Sequence, residues 1–161
     1  MSSVHFSSAS NEWATPQWLF DELNKLYGPF TLDPCATQEN AKCERYFTKA
    51  DNGLVKSWQN ETVFMNPPYG REIGKWIEKA YQESHKYTGL PNNVICLIPA
   101  RTDTSYWHDY IMKSSEICLI RGRIKFIGGD SSAPFPSAVI AFVDCHDTAP
   151  HLSSLDARGK K

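Results

Sequence analysis

Val63-Phe64-Met65-Asn66-Pro67-Pro68-Tyr69-Gly70 is a short apolar run stopped by two prolines, and beyond it Ile73, Trp76, Ile77, Ala80 and Tyr81 recur at i, i+3, i+4, i+7 and i+8. The run is too short for a helix and reads as a strand, whereas the recurrence is one face of an amphipathic helix. A strand that ends in a turn and continues into a helix is the unit from which helix-covered, mostly parallel sheets are built. Downstream, residues 94–98 are continuously apolar, as in a strand buried on both faces. Upstream, Thr15 is placed to cap a helix with Pro16 at its first position. Leu19, Phe20, Leu23, Leu26 and Tyr27 follow at helical spacing and Gly28-Pro29 ends the element. Residues 30–32 are then a short strand candidate leading into Asp33-Pro34-Cys35-Ala36.

Residues 37–61 are polar and irregular, with one short helix or strand around 41–47. Residues 105–113 read as a helix with Trp107, Tyr110 and Ile111 inward. Residues 117–120, 124–127 and 138–143 read as strands, the last two paired as an antiparallel hairpin at one edge. The expected architecture is α/β: a mixed, mostly parallel sheet with helices on both faces. It is expected as one domain over residues 1–161, with residues 1–11 a loose arm and 144–161 a frayed tail. Ligands in such sheets bind outside the carboxyl ends of the strands, where both Asp33-Pro34-Cys35-Ala36 and Asn66-Pro67-Pro68-Tyr69 fall.

Apolar residues make up 41% and charged residues 22% of the chain, a globular composition that argues against a disordered tail protein. The formal net charge of −1 announces no polyanion partner, so any nucleic-acid contact rests on a local basic surface. Cys35, Cys43, Cys96, Cys118 and Cys145 are odd in number and lack a C-x-x-C spacing, which points to free thiols in a reducing compartment. Cys145 and His146 have no paired ligands at metal-binding spacing, so no metal is expected. Residues 1–11 are polar and Ser-rich rather than signal-like, and no apolar run is long enough to span a bilayer. A soluble, intracellular protein without membrane partners is expected.

Asn66-Pro67-Pro68-Tyr69 carries chemistry as well as a turn. The nitrogen of an aromatic amine or an amide is a poor nucleophile because its lone pair is delocalised. Two acceptors that bind both of its hydrogens favour a pyramidal nitrogen whose lone pair leaves the plane. The side-chain oxygen of Asn66 and the backbone carbonyl of Pro67 suit this, since proline has a carbonyl and no competing N–H. The paired prolines hold that carbonyl stiffly. Tyr69 offers a flat face on which an extruded base can stack. Asn66 is not a general base, and the proton leaves after group transfer.

With these pieces the sequence resembles the phage DNA N6-adenine methyltransferase (Dam-type) family of amino-methyltransferases. The likeness rests on Trp13-Ala14-Thr15-Pro16, Leu32-Asp33-Pro34-Cys35-Ala36-Thr37, Asn40-Ala41-Lys42-Cys43, Tyr46-Phe47, Gly53-Leu54, Trp58 and Asn66-Pro67-Pro68-Tyr69-Gly70. It continues through Pro99-Ala100-Arg101-Thr102-Asp103-Thr104 and Gly122-Arg123-Ile124-Lys125-Phe126. The resemblance implies a reduced Rossmann-like S-adenosylmethionine-dependent methyltransferase fold. It implies site-specific transfer of the cofactor's methyl group to N6 of a flipped-out adenine in double-stranded DNA, with S-adenosylhomocysteine as product. Asn66, Pro67, Pro68 and Tyr69 become the catalytic set. Asp33, Pro34, Cys35 and Ala36 become the loop at the cofactor's methionine end, with no Gly-x-Gly and with Cys35 and Ala36 as the small residues instead. Asp33 would hold the ammonium group, or else cap the turn before Pro34.

By the same resemblance Thr15 and Pro16 lie over the methionine end, though a plain helix cap explains them equally well. Asp51 is either the acid at the cofactor adenine or a solvated loop residue, and Glu39 and Glu44 are both candidates for the ribose. Arg121, Arg123 and Lys125 alternate on one strand, as phosphate contacts or as charges that guard an edge, and Arg101 is a target-strand contact. Phe126 or Phe135 would wall the base pocket. The protein is expected as a monomer or weak dimer in the cytoplasm of a bacterial host. The alternatives are methylation of a protein glutamine amide or an RNA base, and an inactive DNA-binding or anti-restriction module.

Overall fold

The computed structural model describes residues 12–86, 92–143 and 149–158. Helix α1 runs over Gln17–Tyr27 and buries Leu19, Phe20 and Leu23, while Leu26 faces solvent. Its cap differs from the expectation. The carbonyl of Pro16 accepts the first helical N–H groups, from Leu19 and Phe20, so Pro16 is the boundary residue and Thr15 makes no cap bond. The Thr15 hydroxyl is used elsewhere, as described below.

The strands are β1 Leu32–Asp33, β2 Arg45–Tyr46, β3 Val63–Met65, β4 Val94–Pro99, β5 Glu116–Arg121, β6 Ser137–Phe142 and β7 His151–Asp156. Helix α2 is Ile73–His85 and the short α3 is Ser105–Asp109, with a 3-10 turn at Ile111–Lys113 where a longer helix was expected. Among the described residues the strands form one seven-stranded sheet in the order β2-β1-β3-β4-β6-β5-β7. Strands β2, β1, β3 and β4 pair parallel; β6 is antiparallel to both β4 and β5; β7 is parallel to β5.

Register shows that the helices cover both faces. Phe142 lies opposite Val94, which lies opposite Val63, so the three share a face, and Phe64 points to the other. Tyr81 of α2 meets Phe142 with ring centroids 6.2 Å apart, whereas Phe20 of α1 meets Phe64 at 5.2 Å. Helices α1 and α2 therefore lie on opposite sides of the sheet. This is the mixed α/β, reduced Rossmann-like arrangement expected from the sequence.

Three expectations at the far edge are corrected. Residues 124–127 are not a strand. Gly122, at φ 84°, ends β5, and beyond it only a single bridge joins Ile127 to Ala14. The alternation of buried Ile124 and Phe126 with exposed neighbours mimicked a strand. Strand β6 pairs antiparallel with β4 and β5, so it lies inside the sheet rather than at its edge. The C-terminal region is not wholly frayed, since β7 pairs along all of β5. Its Ser153-Ser154 centre and largely exposed surface gave no apolar signal. The arm at 1–11, Cys145 and the residues 144–148 and 159–161 lie outside the described residues.

Cys35, Cys43, Cys96 and Cys118 are free. No helix among the described residues is long and apolar enough to cross a membrane, and none of their His, Cys, Asp and Glu side chains cluster to hold a metal.

One buried charge ties the loop 53–58 to α2. The Glu83 carboxylate, 1% exposed, accepts from Lys79 at 2.7 Å and from the Trp58 backbone N–H at 3.0 Å. Glu83→Ala strands a partly buried ammonium and a buried N–H, and is expected to lower the unfolding free energy by about 2–4 kcal/mol in urea denaturation. A loss under about 1 kcal/mol would show that water reaches these groups.

Candidate active site

Because β1 and β3 run parallel as neighbours, their carboxyl ends deliver Asp33 and Asn66 to the same rim of the sheet. A cavity of about 780 Å³ opens there. Its walls come from residues 12–15, 33–38, the 48–54 loop and Asn66-Pro67-Pro68, with Trp76 of α2 closing one side.

The Asn66 amide is held in one orientation. Its Nδ2 donates to the Trp13 backbone carbonyl and, at 2.9 Å, to the Thr15 hydroxyl. A carbonyl only accepts, so the nitrogen must face Trp13 and the amide cannot be flipped. The Oδ1 is left buried without a partner among the described residues. A buried, unpaired carbonyl oxygen on a cavity wall is costly unless a ligand's N–H reaches it. Trp13 itself is pinned by the Ala14–Ile127 bridge and by Phe135, whose ring centroid lies 5.1 Å away.

Asp33 is 4% exposed. Its carboxylate accepts the backbone N–H of Lys42 at 3.1 Å and of Cys35 at 3.5 Å. Burial raises its pKa to about 6, against the opposing pull of those two N–H groups and of the Lys42 charge. Burial also pushes the Cys35 thiol well up, so it lines the cavity as a neutral group.

Gly53 was noted in the sequence without a role, and its role is close approach. A Cβ there would fall 2.2 Å from the Pro34 carbonyl oxygen, while the Gly53 carbonyl accepts the Trp58 indole N–H at 3.0 Å. Gly53→Ala must push the 48–54 loop off the Asp33-Pro34 loop. The expected cost is about 1–3 kcal/mol of stability by urea denaturation. An unchanged midpoint would mean that the two loops separate freely.

The expected site residues divide clearly. Thr15, Asp33, Pro34, Cys35, Ala36, Asn66, Pro67 and Pro68 all line the cavity. Pro16 is buried beside it without lining it. Asp51 does not line it; its exposed carboxylate accepts the Thr48 N–H and hydroxyl at 2.8 and 2.9 Å, a local turn that fixes it outward. Glu39 and Glu44 are exposed and also absent from the wall. Tyr69 is 5% exposed, its hydroxyl donates to the Leu97 carbonyl at 3.1 Å, and Phe135 and Phe126 abut it at 5.6 and 6.2 Å. Its ring is thus covered rather than presented. Arg121, Arg123 and Lys125 are exposed, but Arg121 ends β5 whereas Arg123 and Lys125 lie beyond Gly122 off the sheet, so they do not share a strand; Arg123 reaches back to the Ala133 carbonyl at 3.5 Å. Arg101 lies on a second cavity.

The chain matches the model of the family described as DNA N-6-adenine-methyltransferase (Dam) over residues 3–144. It is 28% identical over 135 residues to "DNA N-6-adenine-methyltransferase" of Escherichia phage T1, an alignment covering 74% of this chain and 55% of that protein. It is 40% identical over 65 residues to "Putative methyltransferase YfdM" of Escherichia coli (strain K12), covering 37% of this chain and 71% of that protein. The chain therefore spans about half the length of the phage relative.

Proposed function

The chain belongs to the DNA N-6-adenine-methyltransferase (Dam) family, and from that premise we propose that it moves the methyl group of S-adenosylmethionine to N6 of an adenine extruded from duplex DNA. The observation that carries this reading is the Asn66 Oδ1, buried and unpaired beside a cavity whose other polar anchor is the buried Asp33 carboxylate.

The cavity suits the cofactor. A volume of about 780 Å³ lies within the usual range for small-molecule sites. Asp33 offers the negative partner for an ammonium, and Leu54, Phe64 and Trp76 give apolar surface for a purine. Pro34, Cys35 and Ala36 bring backbone close to the methionine end, and Thr15 adjoins it. The cofactor supplies an electrophilic methyl group on a sulfonium.

Everything else falls to the protein. Asn66 Oδ1 and the Pro67 carbonyl accept the two N6 hydrogens, which frees the lone pair of the amine. Trp13 and Thr15 hold the amide so that no reorganisation is needed at the moment of reaction. S-adenosylmethionine held there would supply the methyl group to the freed lone pair and leave as the neutral thioether, and water would take the surplus proton of the amine. The base reaches the face of Tyr69 when Phe135, half-buried at the end of the exposed 127–136 loop, moves aside. Arg121, Arg123 and Lys125 face the phosphates of the duplex. The setting for such a reaction is the cytoplasm of a bacterial host.

The test supplies S-adenosylmethionine labelled in its methyl group to duplex DNA, RNA and a protein mixture in parallel. Label recovered as N6-methyladenine in DNA is expected. Label in a glutamine amide or in RNA would replace the substrate, and no transfer at all would leave a binding module.

A further inference from the structure

The second cavity, about 540 Å³, lies between the start of α2 and α3 and is separate from the methyl-transfer site. Arg71 and Arg101 both open onto it. Neither is paired with a carboxylate among the described residues, and both are exposed. Lys75 adds a third cation, loosely tied to Glu72 at 2.7 Å in an exposed pair. On the inner wall stands Tyr106, 9% exposed, packed across the first turn of α2 where a Cβ on Gly74 would sit 3.5 Å from its ring. The Tyr106 hydroxyl is buried and has no partner among the described residues. The acidic residues of the cavity, Glu78 and Asp109, belong to the next turn of α2 and the far end of α3, and Glu78 is engaged by the Tyr110 hydroxyl.

The unpaired cations are thus gathered at the end nearest the reacting loop. Arg71 follows Tyr69-Gly70 directly, and Arg101 follows β4, whose neighbour β3 leads into Asn66. Two exposed guanidinia lining one cavity with a tyrosine whose buried hydroxyl has no partner among the described residues are complementary to a tetrahedral oxyanion.

We propose that Arg71, Arg101 and the Tyr106 hydroxyl form a seat for one backbone phosphate of the DNA strand that carries the target adenine. The seat fixes the sugar-phosphate chain beside the extruded nucleotide. It rests on the DNA reading of the main site.

Arg71→Gln, Arg101→Gln and Tyr106→Phe are compared with the wild-type full chain for duplex affinity by fluorescence anisotropy over a salt series. Each arginine variant is expected to bind about tenfold more weakly, and the double variant to lose about one unit of salt slope. Tyr106→Phe is expected to bind about threefold more weakly with unchanged or raised stability, since it removes a hydroxyl that is otherwise an orphan. Neutral methylphosphonate, walked along the target strand, should weaken wild-type binding at one position next to the adenine and have no effect there in the double variant. Cofactor affinity, unchanged throughout, reports that the variants fold. Wild-type affinity for DNA in all three variants, or a methylphosphonate profile that they share with wild type, would overturn the seat alone. Failure of the wild-type chain to bind duplex DNA would overturn the DNA reading and the seat together.

Discussion

Asn66→Ala leaves S-adenosylmethionine bound and lowers kcat for methyl transfer by about two to three orders of magnitude, the scale seen when a preorganised donor or acceptor to a developing charge is deleted. Both Nδ2 hydrogens are taken by the Trp13 carbonyl and the Thr15 hydroxyl on the near wall, and neither bond goes to the 33–36 loop. Its remaining polar atom, Oδ1, has no partner among the described residues. Truncation therefore removes an acceptor for the substrate amine and leaves the walls around Asp33 standing. Calorimetric titration of the variant with cofactor and a single-turnover assay on DNA separate the two effects. Equal losses in cofactor binding and turnover would mean that Asn66 shapes the cavity instead of reading the amine. Thr15→Val is the companion variant. It withdraws one of the two acceptors that hold the amide, leaves Trp13, and is expected to lower kcat by about three- to tenfold with little change in cofactor affinity.

How much of this was legible beforehand depends on the range of the interactions involved. Periodicity located α2 at its observed start, Ile73, and the apolar run located β3 at Val63–Met65, because both signals are local and the core is built from them. The two cavity loops were legible for the same reason: each follows a strand whose end the sequence marks. Asp33 and Asn66 were correctly brought to one rim because parallel neighbours align their carboxyl ends. The failures are all long-range. Thr15 looked like a cap since its neighbour is proline, yet its hydroxyl serves a residue distant in sequence. Gly53 is needed only because the Pro34 carbonyl passes over it, and nothing near it in the chain announces that. Tyr69 was expected to present its face, but the aromatic rings that cover it come from the 126–135 segment, which is remote in sequence. Strand β7 is exposed and serine-centred, so pairing with β5 rather than hydrophobic pattern defines it.

Asp33 makes cofactor affinity depend on pH. Burial holds its pKa at about 6, above the ordinary range of an aspartate. A raised carboxyl pKa favours the protonated group in the folded chain, so its contribution to stability is full below the unfolded value and is lost as pH rises through about 6. Above that pH the folded protein carries a buried carboxylate supported mainly by the backbone N–H groups of Lys42 and Cys35. An ammonium placed against it relieves that cost, which is why the cofactor should bind more tightly to the ionised form and release no proton above neutrality. Between pH 7.5 and 6 the dissociation constant of S-adenosylmethionine is expected to stay nearly flat. Below about 6 it should rise towards tenfold per pH unit, with one proton released on binding, as titration calorimetry in buffers of different ionisation enthalpy would measure. Asp33→Asn keeps the shape and removes the charge. It should raise the melting temperature of the empty protein at pH 7.5, weaken cofactor binding by about a hundredfold, and abolish the acid limb. A wild-type dissociation constant that stays constant down to pH 5 would place the ammonium elsewhere. Asp33 would then be the buried end of a turn, stabilised by Pro34 and its two N–H partners and no part of the binding site.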